Sequence, residues 1–171
     1  AEGRRKEAVA VSGHNQEIDR YNAAAKKANG GDLAGAVKLL DGLLADATDP
    51  EVRTQATGLR ASLQDSLARS EAVRLANAGD HAGAAAILNR LLKSTKDTAT
   101  QKELRDLLAQ VERGRQSALY NDAVAKMKQK DYAAVRAILD RLQPQVKDPK
   151  LLGLVTELRR SLDQAGAAPP R

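Results

Sequence analysis

Three aspartates organise this chain. Asp32, Asp80 and Asp131 each introduce the same apolar series. Four residues on stand Ala36, Ala84 and Val135. Eight on stand Leu40, Leu88 and Leu139, each preceded by Leu39, Ile87 or Ile138, and eleven on stand Leu43, Leu91 and Leu142. Steps of three and four residues put these side chains on one face of an α-helix. The aspartates lie 48 and 51 residues apart. One such series would describe a single amphipathic helix; three matched series predict duplicated helical units.

Each aspartate follows a helix-ending signal: Gly30 and Gly31, Gly79, or the polar Lys130. Glycine can close the incoming helix in a left-handed conformation. The aspartate can then accept hydrogen bonds from the unpaired N–H groups of the next helix, where its charge also suits the dipole. Asp32, Asp80 and Asp131 are therefore expected helix caps, each at the bend of a tight helical hairpin.

A second marker follows: Asp49-Pro50, Asp97-Thr98 and Asp148-Pro149. Proline is tolerated in the first turn of a helix because its missing N–H is not needed there. Beyond these points, Gly58 is the one potential breaker up to Ala78, and Gly114 the one up to Lys130. Val52, Ala56, Leu59 and Leu63 carry an apolar pattern through the first stretch; Leu104, Leu108, Val111 and Leu119 carry one through the second. Two long helices joining successive units are expected, about 42 and 50 Å long at 1.5 Å per residue; the alternative is a break near residues 66–70 or 114–116 that gives each unit an extra helix. The three extra residues in the second interval rotate the apolar face modestly, so stacking survives.

The organisation expected is an all-α array of about three hairpins, near 18–46, 66–94 and 115–146, closed by a helix over 149–164. The repeat domain spans 18–164. An N-terminal segment, 1–17, is expected to be partly helical, its helix weakened by Gly3 and Gly13. Residues 165–171 are expected to form a flexible tail.

Composition agrees. The apolar residues, 42% of 171, are mainly Ala and Leu, with few β-branched side chains, which favours close-packed helices over sheet. Cys, Phe and Trp are absent and Tyr numbers three. This excludes a disulfide framework and thiolate chemistry, and supplies poorly any aromatic platform for single-stranded nucleic acid. No apolar run approaches the length of a membrane span.

The three blocks resemble tetratricopeptide (TPR) repeats. The resemblance rests on a small residue in the first helix (Ala24, Ala72, Ala123), Gly-Asp or Lys-Asp at the turn, and Leu33, His81 or Tyr132 just after it. Ala36 or Ala84 with the apolar positions that follow, and Asn22 and Asn121, complete it. The units here are longer than the family's repeat of about 34 residues, the Trp is missing, and Val135 replaces the third small residue. The resemblance implies an α-solenoid acting as a protein- or peptide-binding adaptor. It also implies that Asn22 with Lys26, and Asn121 with Lys126, stand where family members hold a partner's terminal carboxylate. The simpler reading of these four is solvated lysines beside locally bonded asparagines.

No catalytic constellation stands out. His14 and His81 are far apart, the carboxylates are dispersed among Lys and Arg, and GGDLAG lacks the end of a phosphate loop. No enzyme activity, cofactor or metal site is expected. The net charge of +6 supports an alternative function. Lys126, Lys128, Lys130, Arg136, Arg141 and Lys147 form a basic stretch suited to nucleic acid. The same charge also serves solubility. The Ala-rich first helices suit either a monomer or a homodimer. A basic, Ala- and Arg-rich composition suggests a bacterial chain and the initial Ala a processed one, expected in the periplasm with the cytoplasm as the alternative; the absence of Cys suits either compartment.

Overall fold

The computed structural model describes the backbone of residues 2–167 and the side chains of 13–165. Among the described residues there is no strand. Seven α-helices follow one another among these residues: α1 (Glu2–Asn29), α2 (Leu33–Asp46), α3 (Pro50–Asn77), α4 (His81–Ser94), α5 (Thr98–Lys128), α6 (Tyr132–Leu142) and α7 (Pro149–Ala167). A short 3₁₀ turn, Gln143–Gln145, precedes α7. Helices pack in sequential pairs, α1 on α2, α4 on α5, α5 on α6 and α6 on α7. This is a helical-repeat architecture.

Both long helices are continuous. Gly58 stands on the exposed side of α3 with nothing near it, so it interrupts no packing. Gly114 has a packing reason: a Cβ there would lie 3.0 Å from the His81 ring. The helix thus passes its neighbour closely at the one place where it lacks a side chain. The closing helix, expected to end at residue 164, runs three residues further, to Ala167. Ala165 and Ala167 are strong helix formers, and one glycine between them is not enough to stop the helix. Residues 168–171 of the expected tail lie outside the described residues.

The three bends share one geometry. Gly31 and Gly79 adopt φ of 87° and 88°, and Lys130 adopts 61° in the same place. The Asp32 and Asp80 carboxylates each accept the backbone N–H three residues on, from Gly35 and Gly83, both at 2.8 Å. Asp131 accepts from Ala134 at 3.2 Å. The later markers cap as well. Asp49 accepts from Glu51 and Val52, Asp97 from Thr100, and Asp148 from Leu151. Pro50 and Pro149 open α3 and α7, where no N–H is required.

The chain divides into two compact units, Ala1–Glu71 and Ala72–Arg171, with the boundary inside α3. In the first, Ala24 of α1 and Ala36, Leu40 and Leu43 of α2 are fully buried together with Ala56 of α3. Val52 and Leu63 complete that core. In the second, Ala123, Val135, Leu139 and Leu142 pack with Val155 and Leu162 of α7. Ala84, Leu88, Leu91, Leu104 and Val111 are buried in the same unit. Small residues at 24 and 36 let two helices approach closely. Val135 fills the third such position and is still fully buried, in one core with Ala123.

Candidate functional site

The polar contacts that tie the helices repeat 99 residues apart. Arg60 Nε lies 2.5 Å from the Asp41 carboxylate in the first unit. Arg159 lies 2.7 Å from Asp140 in the second. The same register in the middle repeat holds Asn89 and Leu108, which cannot form an ion pair. Two buried polar side chains follow the same spacing. Glu17 accepts hydrogen bonds from Thr48 N–H at 2.8 Å, the Thr48 hydroxyl at 2.9 Å and Asp49 N–H at 3.0 Å. Those donors, the two backbone amides first, hold its carboxyl below the usual range. Gln116 donates to the Gln145 carbonyl at 3.1 Å and to Glu112 at 2.9 Å. Glu112 is in turn held low, chiefly by the Arg115 guanidinium. These groups fasten a first helix to the loop after its partner and are structural.

The surfaces open to a ligand are grooves. One, about 280 Å³, lies between α1 and the start of α3 in the first unit. Tyr21, Asn22 and Gln55 give it aromatic and amide surface, Ile18 and Val52 an apolar wall, and His14 and Glu51 polar ends. His14 Nδ1 stands 2.8 Å from an Asp49 oxygen. The Val52 N–H is the main group holding the Asp49 carboxyl low, with the Glu51 N–H and His14 adding to it. A second groove, about 480 Å³, runs between α1 and α2 beside Leu39. In the second unit a smaller apolar cavity, about 180 Å³, lies under His81 between α4 and α5, lined also by Val73 and Leu107. A hollow of about 500 Å³ opens by Ala109 and Pro149, with Glu112, Arg113, Lys147 and Asp148 also lining it.

The residues singled out by the sequence are distributed unevenly over these surfaces. Asn22 lines the α1–α3 groove, while Lys26, exposed one turn on, does not. Asn121 is exposed and Lys126 half-buried on α5, and neither lines any of these four hollows. The two Asn–Lys pairs belong to different units. Of the basic stretch, Lys126 and Lys128 occupy the last turn of α5, where the helix dipole favours cations. Lys130 holds the bend. Arg136 reaches Asp163 at 3.5 Å, and Arg141 and Lys147 are exposed.

Sequence reasoning missed Glu17, Gln116 and the two Arg–Asp pairs. A signal existed: Leu59-Arg60-Ala61-Ser62-Leu63 and Leu158-Arg159-Arg160-Ser161-Leu162 share four of five residues at the same spacing. Among the described residues, no group of three or more His, Cys, Asp or Glu side chains is arranged to hold a metal ion. No helix among them is long and apolar enough to cross a membrane. Comparison with protein-family models, with curated proteins and with solved structures returns no match.

Proposed function

We propose that this chain is a non-catalytic, TPR-like scaffold that binds a segment of a partner protein along the grooves between its helices. The observation that carries this reading is the α1–α3 groove, where Tyr21, Asn22 and Gln55 line one open surface. Two amide side chains can each donate to and accept from a peptide backbone. An aromatic ring and the flanks of Ile18 and Val52 supply apolar contact at small entropic cost. The α1 wall of the groove is fastened to the α2–α3 loop, since Glu17 accepts from the Thr48 and Asp49 amides and His14 reaches Asp49. Lys26, exposed one turn beyond Asn22 and outside the groove lining, offers a cation to a carboxylate of a segment that runs past the groove.

Selection of displayed random peptides on the immobilised chain, followed by titration of a selected peptide, tests this. Backbone shift changes should centre on residues 18–22 and 51–55. The double substitution Asn22→Ala, Gln55→Ala should weaken binding by at least about tenfold without moving the thermal midpoint. Failure to select any peptide, or binding that ignores the double substitution and perturbs no groove residue, would overturn the reading. A gel shift with duplex and single-stranded nucleic acid separates it from binding through the basic stretch, which would show a steep salt dependence.

A further inference from the structure

We infer that the α1–α2 groove is a docking site for an acidic segment of a partner protein that inserts an apolar side chain beside Leu39. The inference deepens the scaffold reading and rests on it.

The same groove position can be followed through all three hairpins. Its floor in the first is Gly42, where the register of the other two carries Arg90 and Arg141. Ala23 replaces Glu71 and Asp122. The first hairpin therefore lacks one long side chain and one carboxylate on a single surface. What remains is an open channel of about 480 Å³ with Leu39 as its apolar wall. Leu39 is 41% exposed. Its counterparts differ, and Ile138 is packed against the core of its own unit.

The charge on the rim selects the occupant. The lining holds three cations, Arg20, Lys27 and Lys38, and no carboxylate. Arg20 spans to the Gly42 carbonyl at 2.8 Å and to Asp46 at 2.7 Å. Lys27 reaches Asp32 at 2.5 Å. Among the described residues Lys38 makes no ion pair. Both existing pairs are exposed, so they hold their cations weakly and can exchange for a ligand's carboxylates. A second copy of this chain, at a net charge of +6, complements a cationic rim poorly. An acidic segment complements it, and one apolar side chain removes Leu39 from water.

The probe is a fluorescein-labelled helical peptide of about 15 residues, rich in Glu with Leu along one face, titrated by anisotropy against the full chain. Controls carry Lys for Glu, or Ala for Leu. Binding of the Glu/Leu peptide alone is expected, weakening by at least about tenfold in Leu39→Glu and in Gly42→Arg. The second substitution installs the residue that the other two hairpins carry, so it is compatible with the hairpin fold. It also adds positive charge, so a loss of affinity there reports occlusion of the channel. Unchanged circular dichroism and thermal midpoint exclude unfolding.

No binding, equal binding of the Lys peptide, or indifference to both substitutions would overturn the assignment. So would sedimentation showing a dimer that Leu39→Glu dissociates, since the occupant would then be a second copy. If the assignment fails while Asn22→Ala, Gln55→Ala still weakens selected peptides, the scaffold reading stands without this site.

Discussion

The amide of Ala134 lies 3.2 Å from the Asp131 carboxylate, whereas the two other bends close the same bond at 2.8 Å. Their third helical position is glycine, and a Cβ added to Gly83 would stand 2.4 Å from Asp80 Oδ2. Ala134 carries that Cβ, and its carboxylate sits further off. Asp80→Ala should therefore cost about 1 kcal/mol through loss of a cap, and Asp131→Ala distinctly less. Denaturant midpoints of the two variants check the order.

Lys130 occupies a left-handed backbone conformation that glycine fills at the other bends. A Cβ makes that conformation costly. Lys130→Gly should stabilise the chain by about 0.5–1 kcal/mol, read as a higher denaturant midpoint. Lys130→Val should lower it.

Glycines inside helices should separate into two kinds. A Cβ added to Gly58 would meet nothing within 4 Å. Gly58→Ala should gain about 0.5–1 kcal/mol by helix propensity alone. Gly83→Ala should gain little or nothing, because the new methyl displaces the Asp80 cap. Equal gains in thermal unfolding would contradict this account of the caps.

Adjacent leucines on α2 should differ sharply. Leu40 is fully buried and Leu39 is 41% exposed. Leu40→Ala should cost about 2–5 kcal/mol, and Leu39→Ala about 0.5 kcal/mol or less. Urea titration of both variants measures the contrast.

Acid should loosen the first unit through Glu17. Its folded-state pKa is depressed below the usual 4.5 by the Thr48 and Asp49 amides. A depressed carboxyl contributes stability above its unfolded pKa and loses it as pH falls through the folded value. Asp32 shifts the same way, through Lys27 first and then the Gly35 N–H. Stability should hold at neutral pH and decline below about pH 4.5. Glu17→Gln should be less stable at pH 7, with a shallower acid decline. Parallel curves for the two proteins would remove Glu17 from that role.

The information legible along the chain is local and periodic. Asp32 after Gly31, Pro50 after Asp49, and leucines three and four residues apart mark helix ends and faces, because capping and amphipathicity act over a single turn. An all-α chain of paired helices follows from them. Which polar groups meet was settled by docking. Glu17 finds Thr48 across 31 residues, and Arg60 finds Asp41 across a helix packing. Docking also settled where a surface stays open: Gly42 reads as one more glycine until α1 lies beside it and its missing side chain becomes a groove. Contacts of this kind depend on how two helices pack together, and no spacing along one of them encodes that.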